Sequence, residues 1–172
     1  ENISDNYVNI SFFFNQDFNS LDIRNTASEV ENIYFSLADL RSSARYGIEV
    51  IAQSEENPNP ELIALAHYYK GMAFLLMGEL FRKVNVEDSG PLVSPRIAFD
   101  SAVRSFERSL AQYPEDGAFG EVINASFPVA FGPAAHLGLA RTHYQLGHRE
   151  EAVFHATEVI GQDADYLRAV QY

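Results

Sequence analysis

The fold is decided by residues 139–156, which read LARTHYQLGHREEAVFHA. Gly147 stands inside this stretch, five residues before Ala152, and a glycine is the usual residue where one helix ends and the chain turns into the next. The small and apolar residues on either side of it are Leu139, Ala140, Ala152 and Ala156. Small side chains let two helices approach closely, and larger ones fill the remaining space. We therefore predict an antiparallel helix hairpin that turns at Gly147.

A second copy of this pattern lies upstream. Its matching residues are Gly71, Phe74 and Gly78 on a first helix and Ala102, Phe106, Ser109 and Pro114 on a second. These intervals are those of tetratricopeptide repeats, in which small and aromatic residues alternate across a helix pair. In the downstream copy His143 takes the usual aromatic position, with Tyr144 beside it. Ala102 follows Gly78 by 24 positions (102 − 78), whereas an uninterrupted repeat needs only about five, so an insertion divides the upstream copy.

Capping and turn residues divide the rest of the chain into helices. Ser28 and Glu31 form a capping box before a long apolar stripe, and Pro60 and Pro95 each follow a capping residue at a helix start. The predicted helices are 28–54, 60–81, 95–113, 132–147 and 148–160, the last ended by a left-handed Gly161. Residues 85–95 and 115–131 are predicted loops.

Residues 1–27 are rich in aromatic residues and asparagine and have no helical period. We predict an irregular, extended segment there that lies over the helices, with strand alternation only in residues 7–14. The predicted fold class is all-α: tetratricopeptide-like antiparallel helix hairpins, an α-α superhelix, in a domain of residues 28–172.

The composition of the 172 residues excludes several classes of protein. The formal net charge of −12 repels nucleic-acid phosphates and anionic lipid, so no nucleic-acid partner is expected. The absence of cysteine excludes disulfides, thiolate metal sites and cysteine nucleophiles. No apolar run is long enough for a membrane span, and no signal peptide is present. The sequence is therefore that of a cytosolic protein or of a chain that begins after its export signal.

No pattern of residues predicts catalysis, a cofactor or a metal. The nucleophile-elbow, Walker and dinucleotide motifs are absent, and acidic pairs such as Glu150-Glu151 are adjacent in sequence, so they do not face each other across a cleft. His136 and His143 lie two turns apart on one helix face, with His155 on the partner helix, but zinc ligands normally lie one turn apart or in a tight loop. We expect a non-enzymatic protein in which these histidines pack or face solvent.

The aromatic N-terminal segment is the candidate ligand site. Stacking faces and hydrogen-bonding side chains alternate there, as they do in sugar-binding sites. The candidate residues are Asn6, Tyr7, Asn9, Phe14, Asn15 and Asp17. Three consecutive phenylalanines, residues 12–14, also fit the simpler alternative that the segment is only anchored on the helices.

Residues 64–81, ALAHYYKGMAFLLMGELF, resemble the long helix of SusD/RagB-type nutrient-capture lipoproteins, which leads into a loop before its partner helix. Residues 97–102, IAFDSA, are similar to the helix that follows in that family, and residues 135–152 and 156–166 to its last repeat. The resemblance covers residues 28–172. The lipidated cysteine with which family members begin is absent here.

The resemblance implies an outer-membrane protein at the cell surface, anchored by lipid through a cysteine upstream of this chain. It would cover a TonB-dependent, SusC-like transporter and deliver a glycan or peptide to it, with the helix hairpins packed on the transporter. The alternative is a soluble, cytoplasmic tetratricopeptide adaptor that holds a partner's peptide or helix in its concave groove. The basic residues needed to bind acidic tails are scattered along the sequence, which argues against that form of adaptor. The true N-terminus, a lipidation cysteine or a bare methionine, would distinguish the two.

Overall fold

The computed structural model describes residues 28–54, 56, 58–113 and 131–162. Within them five helices pack against one another, accompanied by two very short strands, so the predicted all-α class is confirmed. The chain divides into two compact units, Glu1–Ser36 and Leu37–Tyr172, and the contacts described below lie within the second. The predicted irregular segment, residues 1–27, lies outside the described residues.

The five helices follow the predicted order closely. Their bounds are α1 Ser28–Tyr46, α2 Pro60–Leu80, α3 Pro95–Gln112, α4 Phe131–Leu146 and α5 Arg149–Gln162. The start of α2 shows why the boundaries were readable: Asn59 Oδ1 accepts a hydrogen bond from the Glu61 backbone N–H at 2.9 Å, and Pro60 occupies the first turn. The missing N–H of proline costs no helical hydrogen bond there, because the N–H groups of the first turn have no partner within the helix.

The first helix differs from the prediction in one detail. After Tyr46 the chain continues as a π-helical turn, Gly47–Ile51, and as a last α-helical turn, Ala52–Ser54. The predicted end at residue 54 is correct, but the change of pitch was not predicted. In the π turn the Ala52 N–H donates to the Gly47 carbonyl, five residues back. Such a bond affects a single turn. The spacing of apolar residues by three and four positions therefore does not reveal it.

Two glycines were predicted to end helices, and only one of them does. Gly147 has a φ of 81° and is the positive-φ glycine of the described residues. The His148 N–H donates to the His143 carbonyl at 2.9 Å and the Gly147 N–H to the Tyr144 carbonyl at 3.1 Å, which is a Schellman ending of α4. Gly161 instead lies inside α5, which continues to Gln162. The prediction of a left-handed Gly161 is therefore wrong, because the helix continues through this residue and its φ is not positive.

The loop between α2 and α3 contains a small antiparallel hairpin, β1 Val84–Asn85 and β2 Leu92–Val93, with Val84 opposite Val93. Two-residue strands are too short to show alternation in a sequence, so the predicted loop had no strand. Arg41 of α1, only 3% exposed, donates to the Asn85 carbonyl at 2.5 Å and to Asp88 Oδ1 at 2.7 Å. One buried guanidinium therefore ties the insertion to α1.

The register of the helices follows from a few close contacts. Gly71 of α2 lies against Phe106 of α3, and Gly78 lies against Phe99. The residue number rises along α2 as it falls along α3, so the two helices are antiparallel. The Ser109 hydroxyl donates to the Ala64 carbonyl at 2.7 Å and extends the same register.

The fourth helix packs onto this pair and forms the next hairpin with α5. Gly138 of α4 lies against Phe106, and Phe131 at the start of α4 packs on Ala64 of α2. Antiparallel packing of α4 and α5 places Ala134 beside Val159. The helices therefore succeed one another as two hairpins, α2–α3 and α4–α5, in the order predicted for a tetratricopeptide-like array.

Candidate functional site

The ring of Phe106 is the centre of the helix packing. The side chain is fully buried, and a Cβ added to Gly71 would lie 2.8 Å from its Cδ1, while one added to Gly138 would lie 2.5 Å from its Cζ. Real Cβ atoms do not approach other atoms so closely, so the ring requires glycine on both sides. The sequence pattern identified Gly71 and missed Gly138, because Gly138 belongs to the other repeat and has no assigned position in the tetratricopeptide pattern.

Most of the predicted repeat-packing residues lie in the core. Gly71, Phe74, Gly78, Ala102, Phe106, Leu139 and Ala140 are buried. Gly147 is at the turn, and Ala152 is half-buried. Ala156 is exposed, so its predicted role in the core is wrong: α5 turns this position outward, and Val159 takes the buried place. Pro114 lies outside the described residues, as do the predicted ligand residues Asn6, Tyr7, Asn9, Phe14, Asn15 and Asp17.

Four histidines form a row between α4 and α5. His136 Nδ1 lies 2.9 Å from His155 Nδ1, and His143 Nδ1 lies 3.4 Å from His148 Nδ1. The rings of His143 and His155 stack with centroids 5.5 Å apart and join the two pairs. The sequence placed three of these residues on facing helices but did not include His148, which follows the turn glycine.

Three histidines of the row have lowered pKa values. Burial lowers the pKa of His136, His143 and His155, and in His155 the neighbouring imidazoles lower it further, to about 4. Each nitrogen pair needs one ring to donate and the other to accept, which two neutral imidazoles can do. Among the described residues no group of three or more histidines and carboxylates is arranged to hold a metal ion.

A shallow groove lies on the surface of the α4–α5 hairpin, beside the end of α2. It has a volume of about 710 Å³ and a floor of Ala140, Ala152, Val153 and Ala156. Arg141 donates to Glu79 Oε2 at 2.6 Å and forms one wall, and Tyr144, 73% exposed, stands at the rim. The groove is thus apolar below and polar at its edge.

Large apolar side chains are also exposed on α5, among polar ones such as Glu150, Glu151 and Thr157. Val153, Phe154 and Ile160 are exposed, with Phe154 at 57%. Within α5 only Val159 is buried. We call the groove and these exposed residues the α5 face. Exposed apolar surface of this kind is typical of sites that contact another protein.

Comparison of the chain with protein-family models, with curated proteins and with solved structures found no match. None of the described helices is long and apolar enough to cross a membrane.

Proposed function

We propose that the protein is a non-enzymatic nutrient-binding protein of the SusD/RagB type. In this proposal it captures a glycan or a peptide at the cell surface and acts with a TonB-dependent, SusC-like outer-membrane transporter. It binds the nutrient without a catalytic step and without a cofactor. The observation that carries the proposal is the α5 face, because it presents large apolar side chains to solvent.

The physical argument concerns the cost of this face in water. Val153, Phe154 and Ile160 are all exposed, and apolar surface in contact with water is unfavourable. Covering them with another protein would remove their side chains from water, at about 25 cal/mol for each Å² of apolar surface. A stable complex with a transporter would bury well above about 1,000 Å² in total.

The insertion between α2 and α3 supports the same proposal. The loop is folded into the β1–β2 hairpin and tied to α1 by buried Arg41. Connections between paired helices are usually short, and a helix followed by an ordered loop is the feature in which residues 64–102 resemble the nutrient-capture family. Localisation at the outer membrane, with a lipid anchor, follows from the resemblance and is part of the proposal.

One observation favours the alternative, a soluble tetratricopeptide adaptor. The groove of the α5 face has an alanine floor, a tyrosine rim and a volume of about 710 Å³, dimensions that suit a side chain or a short peptide. In that alternative the partner is a cytoplasmic protein whose extended segment or helix lies along α4 and α5.

Crosslinking in intact cells distinguishes the two. We expect a TonB-dependent transporter to be the abundant product, captured through the α5 face. The variant Phe154→Glu should weaken that capture, because it places a charge within the proposed contact. Leu92→Glu is the matched control: Leu92 is exposed to a similar degree, at 61%, but lies on β2. An abundant cytosolic partner, or equal capture by both variants, would contradict the transporter proposal.

A further inference from the structure

A second pocket, of about 620 Å³, lies between α1, α2, α3 and the loop that follows α2. Its cationic side chains are Arg41, Arg45, Lys70, Arg104 and Arg108, and its carboxylates are Glu49, Glu87 and Asp88. We call it the cationic pocket. Five of the chain's 12 Lys and Arg residues meet there, although the protein carries a net charge of −12. The basic residues that are scattered along the sequence are thus concentrated by the fold.

The ion pairs of the cationic pocket involve Arg41 and Arg45. Asp88 is contacted by both Arg41 and Arg45, and Arg45 Nη1 also lies 3.7 Å from Glu49 Oε2. Lys70 and Arg108 also line the pocket, but they form no hydrogen bond or ion pair within the described part of the chain. They therefore add positive charge that no direct ion pair neutralises, and like charges at short range repel.

The pKa of Lys70 lies below its ordinary value. Burial lowers the pKa most, Glu49 opposes the change, and Arg108, Arg45 and Arg41 lower the pKa further. A negative charge placed beside Lys70 would act in the same direction as Glu49 and raise the pKa.

His67 of α2 provides the second, independent observation. The residue is only 7% exposed and lines the pocket, and its Nδ1 atom is buried without a hydrogen-bond partner among the described residues. Buried polar atoms without a partner are rare in folded proteins. Burial above all, with Lys70 and Arg108, lowers the pKa of His67 to about 4, so the ring is neutral at pH 7.

We propose that the cationic pocket binds a small organic oxyanion, a molecule bearing a carboxylate, sulfate or phosphate group, through Lys70, Arg104 and Arg108, with His67 completing the site. The anion supplies negative charge beside Lys70 and Arg108, in the pocket that the His67 ring lines. The volume of about 620 Å³ lies within the range of ligand sites for whole small molecules and exceeds what one inorganic ion would fill.

The other polar side chains of this wall are already in use. The Ser101 hydroxyl donates to the Ile97 carbonyl at 2.9 Å, and the Ser105 hydroxyl donates to the Ser101 carbonyl at 2.8 Å. The guanidinium of Arg104 donates to Ser101 Oγ at 3.0 Å and has further N–H groups to offer. Specificity for an oxyanion therefore comes from the cations, which can contact two oxygens of one group at once.

Binding should be accompanied by proton uptake. The polar and charged groups that line the pocket together with His67 are Lys70 on α2, Arg108, Arg104 and two serines on α3, Arg41 and Arg45 on α1, Glu49 on the π turn, and Glu87 and Asp88 on the loop. In the free protein burial, and to a smaller extent Lys70 and Arg108, hold the imidazole neutral. An anion beside it favours the protonated ring, so the pKa of His67 rises on binding and affinity increases as the pH falls below neutrality.

Isothermal titration calorimetry of the whole chain tests the proposal, with sulfate, inorganic phosphate and glucuronate as probes at constant ionic strength. We expect saturable binding of at least one probe, and the order of affinities identifies the anionic group. Arg108→Gln and Lys70→Gln should weaken binding about tenfold or more, while raising the melting temperature of the free protein because they relieve repulsion. Arg96→Gln and Lys83→Gln, at exposed positions outside the pocket, should change neither quantity.

The pH arm uses sulfate, which does not titrate in this range, at pH about 7.5 and about 5. Tighter binding of sulfate at the lower pH would support the role given to His67, provided that the His67→Gln variant no longer shows this dependence of affinity on pH. The proposal is refuted if no probe binds saturably, or if the Arg108 and Lys70 variants bind like the control variants. A melting temperature that falls in those two variants would show that the cations stabilise the fold instead of waiting for a ligand.

Discussion

Replacing Gly138 by alanine should destabilise the protein, although alanine is the better helix former. The new Cβ would lie 2.5 Å from Phe106 Cζ and 2.6 Å from Cε1. The ring has little room to move aside, because Phe106 is fully buried and also lies so close to Gly71 that a Cβ there would be 2.8 Å from the ring. Overpacking of a filled core costs about 1–3 kcal/mol, and the gain from replacing a helical glycine is about 0.5–1 kcal/mol.

The net loss for Gly138→Ala is then about 0–2.5 kcal/mol in the free energy of unfolding, measured by urea denaturation with far-UV circular dichroism. Gly161→Ala is the matched control: Gly161 is also helical, but a Cβ there would meet nothing within 4 Å. That control should be stabilised by about 0.4–1 kcal/mol. A double variant with Phe106→Leu should show a smaller cost for the alanine, since the two residues touch. If Gly138→Ala stabilises the protein as the control does, the packing described around Phe106 is wrong.

The other expectations concern the helix contact, the loop and the histidines. Ala102→Leu fills a fully buried position and should cost about 1–3 kcal/mol in urea unfolding; an unchanged midpoint would contradict the repeat register. Arg41→Gln removes three hydrogen bonds to the β1–β2 hairpin and should cost about 2–3 kcal/mol, whereas Arg45→Gln, at a half-exposed pair, should cost about 0–1 kcal/mol. In the folded protein the pKa values of His67 and His155 are about 4, below the ordinary value of 6.5. At a pH between about 4 and 6.5 the unfolded chain therefore binds more protons than the folded protein does. Stability should fall as the pH falls from about 6.5 to about 4, and His155→Gln should reduce that slope in pH-dependent melts.

The sequence predicted those structural features that depend on residues close together in the chain, such as helix starts and turns. Pro60 behind Asn59 and the turn at Gly147 act within a few positions, so the bounds of α2, α4 and α5 could be read to within a few residues. The contact of Gly71 with Phe106 was also foreseeable, because both positions belong to one repeat pattern. The contact of Gly138 with the same ring joins two repeats, and the sequence holds no local sign of their relative register.

The candidate sites depend even more on long-range contacts. Arg41, Lys70 and Arg108 stand on three different helices, and only the packing of those helices brings their charges into one pocket. The unpartnered Nδ1 atom of His67 is equally invisible in a sequence, since it results from burial without a nearby acceptor or donor. The histidine row was predicted in part. His136 and His143 share a helix face, which the sequence shows, whereas His148 comes close to them only because the chain turns at Gly147.

The position of Phe106 between α2 and α4 has a consequence for how the protein opens in its native state. A single ring fills the space between three helices, so none of them can separate without exposing it. Backbone amides in the middle of α2, α3 and α4 should therefore exchange with solvent deuterium at one common rate, as one cooperative unit. The fifth helix contributes a single buried residue, Val159, and its amides should exchange faster, through a smaller opening that leaves the other three helices protected.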